Sequence, residues 1–84
     1  MSFSLIIPVY NEEKSIKNLF EKLKDIKKIK KDIEIILIDD CSTDRSYNYL
    51  SENCSYVDAK IIKNEINRGY GFSIKEGLKI AKNN

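Results

Sequence analysis

The sequence predicts a single α/β domain, and three observations carry that reading. The runs at residues 4–9 and 33–38 are almost wholly apolar and too short for helices, the pattern of strands buried on both faces. Between them Ile16, Leu19, Phe20, Leu23 and Ile26 recur at helical spacing, the apolar stripe of an amphipathic helix. Strand-like and helix-like segments then alternate along all 84 residues, which calls for parallel strands joined by right-handed crossovers. The expected architecture is a three-layer, Rossmann-like βαβαβα unit spanning residues 1–84, without internal repeat, linker or domain boundary.

The first strand is expected at residues 4–9, with Pro8 near its end, where a missing N–H costs least. Tyr10, Asn11, Glu12 and Glu13 form a polar, turn-like stretch. Asn11 is expected to cap the first helix, and the two glutamates to complement its positive end. The second strand stops at Asp39 and Asp40. Residues 41–46 form a loop into a short second helix, with Ser42 or Thr43 as cap and Asp44 in the first turn. A third strand is expected in residues 57–63, around the run AKIIK (59–63), shorter and flanked by charge. Residues 64–71 read as a loop containing Gly69 and Gly71, and the last helix is expected to carry Ile74, Leu78 and Ala81 on one face. Only the third strand, with Lys60 and Lys63, has the composition of an edge. The first two both look interior, yet a three-stranded sheet has one interior place. The sequence therefore predicts an unfilled sheet position, completed either by a further segment or by another chain.

Composition excludes several functions. Fifteen Lys plus Arg against thirteen Asp plus Glu give a net charge of +2, too balanced for a dedicated nucleic-acid binder. With 42% hydrophobic and 33% charged residues the chain is not a disordered tail. No apolar run approaches the ~20 residues that cross a bilayer. There is no histidine, so a His-ligated metal site and a His general base are excluded. Cys41 and Cys54 form no CxxC pair, against zinc and thioredoxin readings. With no signal peptide ahead of them, they are expected as free thiols in a reducing cytoplasm. Lys24, Lys27, Lys28, Lys30 and Lys31 are interrupted by Asp25 and Asp32, and read as a solvated helix face in preference to a lipid-binding patch.

In open α/β sheets ligands bind beyond the carboxyl ends of the strands. Three polar clusters fall there: Tyr10-Asn11-Glu12, Asp39-Asp40 and residues 67–71. Tyr10 reads equally as a platform for a nucleobase and as a boundary aromatic packed on the first helix. Glu12 is either an acceptor for a base or ribose or a complement to the helix dipole. Asp39 and Asp40, adjacent on a strand, point to opposite faces, so one metal ion shared between them is geometrically awkward. A carboxylate accepting from a base N–H and ordering the next loop is the functional alternative. A cap for that loop is the structural one. Residues 67–71 bring Arg68 and backbone N–H groups toward a helix N-terminus suited to a diphosphate, or simply make a turn with positive φ at Gly69. The dinucleotide fingerprint is not met, and no GxxxxGK(S/T) phosphate loop is present.

Three segments, SLIIPVYNEE (4–13), EIILIDDCSTD (34–44) and NRGYGFSIKEGLKIA (67–81), together resemble the start of the family 2 glycosyltransferases, in that family's order and spacing. The third most resembles the branch that transfers sugars to polyprenyl phosphates. The resemblance implies the GT-A fold, here as an incomplete nucleotide-binding half, and a UDP- or GDP-type sugar donor. By position it implies that Pro8, Tyr10, Asn11 and Glu12 shape the nucleoside pocket, that Asp39 bonds the base and Asp40 supports its loop, and that Arg68 and Gly69 lie near the diphosphate. The family's Asp-x-Asp strand, which holds Mg or Mn, and its catalytic carboxylate would follow Asn84. The chain alone is therefore expected to hold neither metal nor catalytic residue and to be inactive as a transferase. Its expected setting is cytoplasmic, peripheral at the inner membrane face if the acceptor is a polyprenyl phosphate. The competing reading is a non-catalytic nucleotide-binding or self-assembling module, pairing as a homodimer through its open strand edge. A phosphoacceptor receiver is disfavoured, because that fold places its Asp pair after the first strand.

Overall fold

The computed structural model describes residues 3–66 and 69–81. The elements run β1 (Ser4–Val9), α1 (Ile16–Ile29), β2 (Glu34–Asp39), α2 (Ser46–Asn53), a 3-10 turn (Cys54–Val57), β3 (Ala59–Lys63) and α3 (Gly69–Ile80). The strands form one parallel sheet in the order β1-β2-β3.

The burial of β2 organises the molecule. Ile35, Ile36, Leu37 and Ile38 are all 0% exposed, because β2 is flanked by a strand on each side and covered on each face. Leu37 and Ile35 share a core with Ile16, Phe20 and Leu23 of α1, Leu50 of α2 and Val57. On the other face α3 packs against β1 and β2. These are the three layers expected from the alternating pattern. The place of β1 is the informative one. Its interior composition sits at a sheet edge, with residues 5–8 only half-buried, and no described strand pairs with its outer side.

At the amino end of the sheet the Glu34 carboxylate accepts from Ser4 Oγ at 2.8 Å and from Lys60 Nζ at 2.7 Å. One side chain of β2 thus touches both neighbouring strands.

Several expected helix starts differ. α1 begins at Ile16 with Ser15 in the N-cap position and no acid in its first turn, so Asn11 does not cap it and Glu12 and Glu13 do not line its first turn. The intervening chain makes a separate turn, closed by Ser15 N–H on the Glu12 carbonyl at 2.8 Å. α2 begins at Ser46 after Arg45, leaving Ser42, Thr43 and Asp44 upstream of the cap. α3 begins at Gly69, so Gly71 is helical and not part of a loop.

The inward face of α3 also differs. Leu78 is 61% exposed, whereas Gly77 is buried and Ile74 and Ala81 are half-buried. A Cβ on Gly77 would stand 2.5 Å from Ile6 Cγ2 and 3.1 Å from Ile38 Cδ1. The missing side chain is what lets α3 close on the sheet. Replacing Gly by Ala inside a helix ordinarily gains about 1 kcal/mol of propensity. Here the clash involves a branch held next to the β1 backbone, and overpacking of this kind costs about 1–3 kcal/mol. Gly77→Ala is therefore expected to lower the urea midpoint at unchanged slope. A midpoint equal to or above the parent's would show that α3 does not rest on Ile6.

Candidate functional site

β1 and β2 end in register, with Val9 opposite Asp39. Asp40 N–H donates to the Val9 carbonyl at 2.8 Å. Tyr10, the next residue of the chain, is 38% exposed. Tyr10, Asp39 and Asp40 therefore share one rim of the sheet.

Asp39 and Asp40 are 0% and 1% exposed, an unfavourable environment for carboxylates that lack donors. The pleat sends them apart. Asp40 accepts from Asn64 Nδ2 at 2.9 Å and from Gly69 N–H at 2.8 Å. It thereby fixes the start of α3, where Gly69 has the expected positive φ, +80°. Asn64 is itself anchored by its N–H on the Asp39 carbonyl at 2.8 Å. Asp39 Oδ2 accepts from Ser42 N–H at 3.2 Å. Its Oδ1 is buried and accepts from no group among the described residues.

The loop after β1 is stitched to the loop after β2. The backbone N–H groups of Asn11, Glu12 and Glu13 donate in turn to Ser42 Oγ (3.0 Å), Ser46 Oγ (2.7 Å) and Asp44 Oδ2 (3.3 Å). In return Asn11 Oδ1 accepts from Thr43 N–H (2.7 Å), Thr43 Oγ1 (3.3 Å) and Asp44 N–H (3.4 Å). Asn11 and Cys41 both adopt left-handed backbone, at φ 50° and 60°. Asp44 Oδ1 also accepts from Ser46 N–H at 2.9 Å, two residues ahead. Burial is the largest single influence on the Asp44 carboxyl and pushes its pKa up. The bonds from Ser46, Glu13 and its own backbone together outweigh it and hold the group below the ordinary 3.8. The sequence marked Ser42 and Asp44 only as helix-start residues and did not single out Ser46.

Pro8 and Glu12 line a cleft of about 190 Å³ beside β1, together with Ile7, Val9, Ile16 and Leu19. A second groove of about 320 Å³ runs between α1 and α2, lined by Ile16, Phe20, Tyr49 and Asn53 among others. It includes neither Tyr10 nor Asp39 and is separate from the rim. Arg68 and Asn67 lie outside the described residues. No group of three His, Cys, Asp or Glu is placed to hold a metal among the described residues. The diverging carboxylates of Asp39 and Asp40, with both Asp40 oxygens already accepting, do not fit a divalent cation.

The sequence profile of "Glycosyl transferase family 2" matches residues 4–84. The chain belongs to glycosyltransferase family 2. Relatives include the undecaprenyl-phosphate 4-deoxy-4-formamido-L-arabinose transferases of Pectobacterium atrosepticum and Proteus mirabilis, 49% and 42% identical over 69 residues. That match covers 81% of this chain and 21% of each relative, so the chain spans about a fifth of their length. Residues 1–349 of Staphylococcus aureus TarS, solved in complex with UDP, superpose with a TM-score of 0.85 at 32% identity over 98% of this chain and 25% of that solved chain. A Pyrobaculum calidifontis mannosyltransferase, solved with GDP-Man and Mn2+, superposes at 0.85 over 96% of this chain and 24% of its own, with 18% identity, a likeness of fold alone. This family 2 chain therefore has part of the GT-A fold, as its three segments implied. No described helix is long and apolar enough to cross a membrane.

Two outcomes follow from the stitched loops. Because the folded Asp44 pKa is depressed, the stability it contributes is fully present above its unfolded value near 4. It is lost as pH falls through the lower folded value. In urea melts, the gap between the parent and Asp44→Asn is expected to be constant at neutral pH and to narrow below about pH 4. A gap independent of pH would place the Asp44 contribution in packing and not in charge. At Cys41 a left-handed non-Gly residue costs about 1–2 kcal/mol, against about 0.5–1 kcal/mol for the extra unfolded freedom of glycine. Cys41→Gly is thus expected to raise the urea midpoint slightly. A fall would mean that the 3.4 Å contact of Sγ with the Glu65 carbonyl outweighs the strain.

Proposed function

We propose that this family 2 chain forms the nucleoside-binding part of a transferase that uses a nucleotide-diphosphate sugar. The observation that carries the reading is Asp39 Oδ1, a buried acceptor without a donor among the described residues, at the rim that also carries half-exposed Tyr10. Such an oxygen suits a ring N–H, which uracil presents at N3 and guanine at N1. Cytosine and adenine present a lone pair at the equivalent position, which a carboxylate repels. The Tyr10 ring supplies a stacking surface for the same base. Asp39 is closed from solvent in this structure, so the base displaces what covers Oδ1 as it enters. Pro8 and Glu12 bound the neighbouring cleft, while Asp40, through Gly69, sets the start of α3, the element proposed to face the diphosphate.

The names of the relatives support a polyprenyl phosphate acceptor. An acceptor of that kind resides in a membrane, so the proposed place of this chain is peripheral at a membrane surface, on the cytoplasmic side. Neutralising a leaving diphosphate calls for a metal, and activating a hydroxyl acceptor, unlike an already ionised polyprenyl phosphate, calls for a base. The described residues arrange neither, so the isolated chain is proposed to bind donor without turning it over. Mg or Mn belongs to the complete domain.

Calorimetric titration of the 84-residue chain tests the reading. UDP or GDP is expected to bind more tightly than CDP or ADP. Asp39→Asn and Tyr10→Ala are each expected to weaken the better ligand by about tenfold or more, the scale of one charge-assisted bond or one base stack. A folded chain that binds none of the four at millimolar concentration would overturn the proposal. If that chain were also a stable dimer, the self-assembly reading would replace it.

A further inference from the structure

We infer that Asn11 is a positioning residue for base recognition, holding Tyr10 and Asp39 at a fixed spacing through the loop after β2 without contacting ligand itself. The inference rests on the nucleoside-binding reading and assigns a role that the rim residues alone do not reveal.

The polar path is continuous. Asn11 follows Tyr10 directly and its N–H donates to Ser42 Oγ at 3.0 Å. Ser42 N–H donates in turn to Asp39 Oδ2 at 3.2 Å, the partner of the oxygen left for the base. Asn11 Oδ1 gathers the backbone N–H groups of Thr43 and Asp44 and the Thr43 hydroxyl. The left-handed backbone at φ 50° turns the side chain across to this loop, and asparagine tolerates that conformation better than most residues. With its oxygen facing three internal donors, Asn11 is engaged with the protein.

Rigidity matters because the two base contacts make different geometric demands. Stacking tolerates sliding, whereas a hydrogen bond weakens steeply once its angle falls below about 120°. If the two loops drift apart, the base keeps its stack and loses alignment with Asp39. The predicted signature is loss of base discrimination in excess of any loss of stability.

Three variants of the full chain separate the possibilities. Asn11→Gly preserves the positive φ and removes Oδ1. Asn11→Asp preserves an oxygen in the same place. Gly77→Ala weakens the fold from the opposite face and leaves the loops intact. The affinity ratio UDP over CDP, or GDP over ADP if guanine is preferred, is expected to fall about tenfold in Asn11→Gly. It is expected to stay within about threefold of the parent in Asn11→Asp and to be unchanged in Gly77→Ala. A parental ratio in Asn11→Gly, or an equal fall in Gly77→Ala, would overturn the positioning role. Amide exchange at Thr43 and Asp44, measured without nucleotide, keeps the two proposals apart. If the parent does not discriminate among bases, the nucleoside reading fails. Faster exchange in Asn11→Gly but not in Gly77→Ala still supports the clasp, and unchanged exchange refutes it.

Discussion

The rim depends on one constraint: two adjacent carboxylates buried at the end of a strand that is covered on all sides. Neither Asp39 nor Asp40 is able to turn into water, since they are 0% and 1% exposed. Each must find donors in the protein or a ligand, and alternation along the strand forces them to look in opposite directions. Asp40 finds Asn64 and Gly69 and fixes where α3 begins. Asp39 finds Ser42 with one oxygen and keeps the other. A structural anchor and a candidate binding group thus arise from neighbouring residues of identical chemistry, separated only by the pleat.

The strands and α1 were legible because burial writes itself into composition. A strand covered on both faces must be apolar throughout, which locates β2, and α1 shows its stripe at helical spacing. β1 carries the same signature although it lies at an edge, since composition records what covers the faces of a strand and not what lies beside it. The caps were misread for a chemical reason. Short oxygen-bearing side chains that accept backbone N–H bonds serve a helix start and a cross-loop contact equally well. The partners of Asn11 lie 31 to 33 residues away, beyond any local pattern. Gly77 escaped because apolar periodicity looks for side chains, and its contribution is to have none. The gathering of Tyr10, Asp39 and Asp40 at one rim was readable from the strand–helix alternation, which makes the strands parallel and puts their carboxyl ends on one side. The lack of a donor for Asp39 Oδ1 among the described residues was not, because it depends on which donors the folded loops happen to place nearby.

Family membership and the rim geometry are independent supports. The profile match and the likeness to TarS concern the arrangement of the chain, while the polar network around Asp39 concerns the chemistry of individual atoms. The clasp centred on Asn11 connects them. Several hydrogen bonds tie its two loops together, so the loops proposed to carry recognition are held in place by the protein itself.

The Glu34 carboxylate, far from this rim, bears on how the sheet assembles. It meets Ser4 and Lys60 together only when all three strands are aligned as they are in the native fold. A strand zipped one residue out of step would carry its partner to the opposite face. The slipped form would lose that strand's bond to Glu34, so a single side chain rewards the native alignment of both neighbouring strands.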